Sequence, residues 1–211
     1  MQKIAGSDLP RFITPKLSYL IGWLCGDGSF SSNRYYIKIS EKSRDQLVKV
    51  LKPLIKDLFG VDVPIFKKSA KGFAIQFGSK PVFKFFKRVL KLKVGKTPKI
   101  IELIDKTNKV CFIRGIFDSE GYVDDSYLNS KIVISQASKK FLRKVISLCK
   151  QIGIEFKGPY FHKTKLGTWY TIQIRKKREI LKFFRYICSS HINKLNKLEN
   201  LVRKIEEKWG S

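Results

Sequence analysis

The sequence predicts an α+β protein made of two αββαββα repeats, each with a small antiparallel sheet. Three observations predict it. First, the chain matches itself at four places in the same order. YLIGWLCGDGSF (19–30) aligns with FIRGIFDSEGYV (112–123), and YIKIS (36–40) with KIVIS (131–135). FAIQF (73–77) aligns with YTIQI (170–174), and PVFKFFKRVL (81–90) with EILKFFRYIC (179–188). The offset grows from 93 to 98, as it would if loops lengthened while elements persisted. Second, the short matched segments alternate apolar and polar residues, as strands with one buried face do. Third, the stretches between them carry helical apolar spacing. The repeat divides the chain into a first half at 1–95, a linker at 96–108 and a second half at 109–211.

The elements follow in order. Pro15 after Thr14 suits the first position of a helix that runs to about Gly26. In YYIKIS, Tyr35, Ile37 and Ile39 are expected on the core face, with Tyr36, Lys38 and Ser40 opposite. EKSRDQLVKVLKPLIKDLF (41–59) reads as a helix. In FAIQF, Phe73, Ile75 and Phe77 point inward and Ala74 and Gln76 outward. In the second half, Ile132 and Ile134 point inward, while Lys131, Val133 and Ser135 point outward. A helix over QASKKFLRKVISLCKQIGI (136–154) follows. Tyr170, Ile172 and Ile174 then face the core, and Trp169, Thr171, Gln173 and Arg175 face away. Each half thus offers a sheet with one apolar and one polar, basic face. From about Asn193, the spacing of Leu195, Leu198, Leu201 or Val202, and Ile205 predicts a closing amphipathic helix.

Composition narrows the function. Lys and Arg number 44 against 17 Asp and Glu in 211 residues, a formal charge of +27. With 43% hydrophobic and 13% aromatic residues there is material for a core, which excludes a disordered basic tail. A folded chain this basic meets a polyanion, either nucleic acid or an anionic membrane. No apolar run approaches the roughly 18 residues of a membrane span. MQKIAGSDLPRF has no apolar core of a secretory signal, so an intracellular protein is expected. Cys25, Cys111, Cys149 and Cys188 have no metal-ligand spacing and lie among apolar residues. They read as buried free thiols of a reducing compartment, the cytoplasm of an archaeon or an organelle. Two histidines, His162 and His191, are too few for a His-based zinc site or a Ser–His triad. His162 reads as a polar strand residue, and Trp169 either packs or meets a ligand. Neither GxxxxGK[ST] nor GxGxxG occurs, so nucleotide-binding loops are absent.

The sharpest feature closes the first helix of each repeat. Gly22-x-x-x-Gly26 precedes Asp27, and Gly115-x-x-x-Ser119 precedes Glu120. Small residues four apart share a helix face and permit close approach of another helix. Packing along these faces would bring Asp27 and Glu120 out side by side. A helix C-terminus carries partial negative charge and unpaired carbonyls, so a carboxylate there is unfavourable and two are worse. A divalent cation with hard oxygen ligands resolves the conflict. Gly28 and Gly121 then let the chain leave the helix for its strand.

LIGWLCGDG (20–28) and IRGIFDSEG (113–121) resemble the two copies of the LAGLIDADG motif. From about residue 15 to 205 the chain resembles the single-chain, two-motif homing endonucleases of the compact archaeal-intron type. The first motif departs at Cys25, where the family has an acid that is not a metal ligand. The second has Glu120 in place of Asp, which keeps the carboxylate. The resemblance implies a monomeric, site-specific double-strand DNA endonuclease that promotes intron mobility. It would hydrolyse one phosphodiester per strand at a long, weakly palindromic target. It implies Mg²⁺, with Mn²⁺ as a substitute, held by Asp27 and Glu120 with the carbonyls of Gly26 and Ser119. Lys42 and Gln136, after the second strand of each half, would position water or stabilise charge. The sheet faces would form the DNA-binding saddle. Its readers would be Ser29, Ser31, Arg34, Tyr36, Lys38, Lys68 and Gln76 in half one, and Lys131, Lys163, Thr171, Gln173 and Arg175 in half two. Gln suits adenine edges, and Arg or Lys suits guanine. An RNA-splicing maturase with intron RNA as its partner, and a non-cleaving DNA-binding protein, use the same fold. A basic ribosome-associated protein would explain the charge but not the duplicated acid-bearing helices. No membrane partner is expected.

Overall fold

The computed structural model describes residues 9–10, 12–69, 72–90, 108–126, 129–165 and 167–207. Residues 96–107 of the expected linker lie outside them. The chain divides into two compact units, Met1–Asn108 and Lys109–Ser211.

The first unit opens with α1 (Pro15–Gly26). Thr14 caps it, its hydroxyl accepting from the Leu17 amide, and Pro15 takes the position where no amide is needed. Next come β1 (Gly28–Ser31) and β2 (Tyr36–Glu41). The helix expected at 41–59 is three consecutive segments: α2 (Arg44–Gln46), a π-helical turn (Leu47–Leu51) and α3 (Lys52–Phe59). Pro53 has no amide for the Lys49 carbonyl. Just before it, the Lys52 amide reaches back five residues to the Leu47 carbonyl. The unit continues with β3 (Ile65–Ser69), β4 (Gly72–Phe77) and α4 (Lys80–Leu90). The sheet order is β1-β2-β4-β3, with every neighbour antiparallel.

The second unit repeats the plan. It runs α5 (Lys109–Glu120), β5 (Gly121–Asp124), β6 (Lys131–Gln136), α6 (Lys139–Gln151), β7 (Lys157–Thr164), β8 (Gly167–Ile174), α7 (Lys177–Tyr186) and α8 (Ile192–Glu207). Its sheet order is β5-β6-β8-β7, again antiparallel throughout. The register repeats as well. Gly28 pairs with Ile39 in one sheet as Gly121 pairs with Ile134 in the other. The alignment made from letters alone is therefore also an alignment of hydrogen bonds.

The expected core faces are largely those observed. Ile37, Ile39, Ile75, Phe77, Ile132, Ile134, Ile172 and Ile174 are buried, and so are Leu198, Leu201, Val202 and Ile205 on α8. Several side chains differ from the alternation. Tyr35 is not on the core face; it turns the chain at φ 51° before β2, half exposed, with its ring edge-on to Phe83. Phe73 and Tyr170 are half-buried. Ala74 and Val133, expected outward, are buried. Both lie on central strands with larger partners on each side: Ser40 and Phe66 flank Ala74, and Tyr122 and Gln173 flank Val133. Phe66 beside Ala74, and Tyr122 and Gln173 beside Val133, are long enough to cover these shorter side chains. Cys25 and Cys149 are buried thiols as expected, but Cys111 and Cys188 are half-buried. Cys111 lies in the first turn of α5, and Cys188 just past α7 at φ 57°, both at element ends.

Candidate active site and nucleic-acid interface

Each unit ends its first helix in a carboxylate. Asp27 is the residue after α1, half-buried, and its amide donates to the Trp23 carbonyl at 3.1 Å. The turn beneath it is fixed by buried bonds. Trp23 Nε1 donates to the Tyr19 hydroxyl at 2.8 Å, and the Cys25 thiol donates to the Ile21 carbonyl at 2.9 Å. Gly28 is needed here for space: a Cβ would lie 2.4 Å from the Leu24 carbonyl oxygen. At Gly121 a Cβ would lie 2.6 Å from the Phe117 carbonyl oxygen and closer still to the Phe117 ring. The glycines are required because the strand doubles back across the last helical turn.

Glu120 is the last residue of α5 and half-buried. Gln136 is 9% exposed, and its Nε2 donates to Glu120 Oε1 at 3.3 Å. The Ala137 amide donates to Gln136 Oε1 at 2.7 Å, which fixes the orientation of the side-chain amide. Burial pushes the Glu120 carboxyl above its ordinary pKa, and the nearby Lys194 ammonium works against that. Lys194 Nζ also donates to the carbonyls of Phe117 (3.0 Å), Asp118 (2.7 Å) and Ser119 (3.4 Å). The Ser119 carbonyl, one expected metal ligand, therefore already has a cationic neighbour.

Asp118 is fully buried and accepts from the Ser189 hydroxyl and from the Ser190 amide at 2.9 Å. This acid is tied to its own half's scaffold, whereas Cys25 at the matching place in half one donates to the Ile21 carbonyl.

Lys42 and Gln136 are not equivalent. Ser40 aligns with Ser135, so the counterpart of Gln136 is Glu41, and Lys42 aligns with Ala137. Glu41 ends β2 as Gln136 ends β6, and its Oε1 accepts the Ser43 amide at 2.9 Å. Lys42 is exposed beyond the strand. Sequence reasoning missed Glu41, although the offset of 95 that aligned the serines pointed to it.

Among the described residues, no three His, Cys, Asp or Glu side chains gather as a metal cluster. The donors fit a hard divalent cation that takes one carboxylate and helix-end carbonyl oxygens, leaving its other positions to water and phosphate. They do not fit zinc.

The outward sheet faces follow from register. In half one, Ser29 faces Lys38 and Lys38 faces Gln76, with Ser31 opposite Tyr36 on the same side. Lys68 reaches Ser40 at 3.3 Å, which places it there too, and Lys38 lies over the Phe66 ring at 5.3 Å. Arg34 is exposed in the β1–β2 turn. Ser29, Ser31, Tyr36, Lys38, Lys68 and Gln76 therefore share one side. In half two, Thr171 and Gln173 lie on the outward side beside Ser135 and Val133, and Lys131 joins them. Lys131 faces Asp124 in an ion pair of 3.6 Å, so this face does contain an acid. Gln173 and Arg175 line a recess with Lys157, Tyr160, Lys176 and Glu155.

Lys163 differs from expectation. The β7 register shifts between Lys157 and Tyr160, so Tyr160 pairs with Thr171 and His162 with Trp169. That bulge places Tyr160 and His162 on the outward side and puts Lys163 on the other. His162 and Trp169 stack at 5.4 Å and 12°, and His162 Nε2 shares a 2.8 Å hydrogen bond with Thr171 Oγ1. Tyr122 and Tyr160 are exposed on the same side. These four aromatic rings were not among the expected readers.

Residues 107–188 match the family model described as a LAGLIDADG-like domain. The chain is 27% identical over 205 residues to the isomerizing glutamine–fructose-6-phosphate aminotransferase of Methanocaldococcus jannaschii, which covers 93% of this chain but 18% of that protein. The chain therefore spans about a fifth of that relative's length. Among solved structures it is similar to mesophilic variants of the homing endonuclease I-DmoI, with a TM-score of 0.65 and 19% identity over 89% of this chain and 98% of that one. I-DmoI has also been solved in complex with DNA and Ca. The N-terminal LAGLIDADG domain of DUF199/WhiA matches with a TM-score of 0.54 and 18% identity, over 86% of this chain and 88% of that one. The chain is thus a single-chain protein of the two-repeat LAGLIDADG fold, with a LAGLIDADG-like domain in its second half.

Proposed function

We propose that this protein is a site-specific, divalent-metal-dependent DNA endonuclease that cuts both strands of a long, weakly palindromic target and so promotes intron mobility. One observation carries the reading. Each half ends its first helix in a carboxylate, Asp27 or Glu120, next to a sheet whose outward face is polar and basic. The similarity to a homing endonuclease solved with DNA and Ca supports it.

Asp27 and Glu120, with the carbonyls of Gly26 and Ser119, would hold Mg²⁺ or Mn²⁺. Held by these groups, a divalent cation would supply Lewis-acid polarisation of the phosphate and a lowered pKa for a bound water. Gln136 orients the Glu120 carboxylate. Lys42, exposed beyond β2, offers a charge to a phosphate oxygen. The outward side chains sort by chemistry. Gln76 and Gln173 read adenine edges, and Lys38, Lys68 and Lys131 contact guanines or phosphates. Arg34 and Arg175, at strand ends, contact backbone. Because the two faces differ, the two half-sites differ. One chain supplies both acids, so a monomer suffices.

Selection from a randomised duplex library in Ca²⁺, followed by addition of Mg²⁺, tests the reading. The expected result is enrichment of one long sequence that is then cut in both strands. Binding without any cut by the wild-type chain would replace it with a non-cleaving DNA-binding role. Preference for structured RNA over every duplex would point to the maturase.

A further inference from the structure

We propose that His162 is a positioning residue that sets which base edge Thr171 reads in the second half of the target. The proposal rests on the DNA-binding part of the reading above and needs no cleavage. Thr171 lies on the outward face of β8, in register with Ser135 on one side and Tyr160 on the other. Ser135 precedes Gln136, which donates to Glu120, so the base that Thr171 meets lies beside that carboxylate.

Two contacts fix the imidazole of His162. Its face stacks on Trp169 at 5.4 Å and 12°, and its Nε2 shares a 2.8 Å hydrogen bond with Thr171 Oγ1. The bulge in β7 makes both possible. Gly158, at φ 119°, lets β7 pass close to β8, where a Cβ would lie 2.7 Å from the Thr171 carbonyl oxygen. The register shift there turns His162 outward.

A hydroxyl has one proton and two lone pairs. A neutral imidazole donates from one nitrogen and accepts at the other, and a charged one donates from both. The two side chains are therefore coupled. With the ring charged, Nε2 donates to Oγ1, and the Thr171 proton is left for an acceptor on a base. With the ring neutral and its proton on Nδ1, the Thr171 hydroxyl donates to Nε2 and presents only lone pairs. In the major groove guanine offers the acceptors N7 and O6, and cytosine offers the N4 donor. The charged ring thus selects guanine, and the neutral ring admits cytosine.

The groups around His162 leave this coupling to the histidine. Lys157 and Tyr160 share its side of β7, and Arg175 shares that side on β8. Glu155, at the edge of this face, is paired with Lys157 at 2.7 Å and Lys176 at 3.4 Å, and their hydrogen bonds hold its carboxyl below the usual range. Lys163 and Lys165 follow toward the hairpin end, and α6, packed on the other face, holds Lys139 over the Tyr170 ring. Of these side-chain types only histidine ordinarily changes charge between about pH 5.5 and pH 8.

Selection from a randomised duplex library in Ca²⁺, at about pH 5.5 and about pH 8, tests the proposal. The full chain is used as wild type, Thr171→Val, His162→Gln and His162→Phe. For the wild type, the ratio of guanine to cytosine at one base pair should rise about tenfold at the lower pH, the size of one hydrogen bond gained or lost. Thr171→Val keeps the shape without the hydroxyl and should flatten the preference at that same pair at both pH values. His162→Phe keeps a ring on Trp169 without the hydrogen bond, and His162→Gln keeps a polar group that does not titrate. Both should lose the pH dependence, and His162→Gln should retain a fixed preference. A wild-type preference that is the same at both pH values, or a pH shift that survives in His162→Phe, would overturn the proposal. So would a Thr171→Val effect at a different base pair from that of the His162 variants. If the wild type selects no common sequence at either pH, the DNA-binding reading falls and the proposal falls with it.

Discussion

Glu120 is the residue with the most to reveal. Burial raises its pKa and Lys194 lowers it, with the net shift upward. The folded chain therefore holds a proton over a range where the unfolded chain, near pH 4.3, has lost it. Stability must fall as pH rises through that range. In metal-free protein at neutral pH, Glu120→Gln should melt at a higher temperature than wild type, and the gain should vanish at pH 4 and below. A variant that melts lower at pH 7 would show that the carboxylate is a net stabiliser. The thiols give a second check. Burial pushes the Cys25 and Cys149 thiols far up, so neither should react with a thiol reagent at pH 8 in the native state. Labelling of either without unfolding would contradict the packing. Both acids were legible in the sequence because they recur at matched places. Lys194 was not, because nothing local links it to a helix more than 70 residues earlier.

At the scale of elements, the helix-to-strand junctions set the geometry of each carboxylate. Gly121→Ala puts a methyl against the Phe117 carbonyl and ring, and Gly28→Ala puts one against Leu24. Each should cost about 1–3 kcal/mol, as overpacking does, read by denaturant midpoint, and should reduce cleavage more than duplex affinity. Equal stability in either variant would mean that the strand can lift off the helix at little cost. Alternation predicted most of the sheet faces, including the pairs Lys38–Gln76 and Thr171–Ser135. It failed where a second effect intervened. Ala74 and Val133 are covered by longer partners, the bulge in β7 reverses Lys163, and Tyr35 turns before its strand begins. A bulge leaves no mark in apolar periodicity, so the aromatic side of β7 could not be read from letters. The π-helical turn was equally hidden, although Pro53 marked its position.

For the whole molecule, charge dominates association. With a formal charge of +27, duplex binding should depend steeply on salt. If the chain contacts 6–10 phosphates, affinity should fall by roughly 10³ to 10⁵ between 50 and 200 mM salt. A shallow slope would mean that most of the lysines face away from DNA. The two-fold repeat was legible because four matched segments keep their order, and the observed sheets share one strand order. The sequence also shows that the two outward faces carry different side chains, and that difference underlies the expectation of an asymmetric target.

As proposed, the nuclease requires one carboxylate from each half for metal-dependent cleavage. Single-turnover cutting of the selected duplex in Mg²⁺ or EDTA, by wild type, Asp27→Asn and Glu120→Gln, tests it most directly. The expected result is double-strand breaks only in Mg²⁺ and only with wild type, each variant losing about a hundredfold or more in rate while still binding in Ca²⁺. Cleavage that persists in EDTA, or in either variant at the wild-type rate, would contradict it.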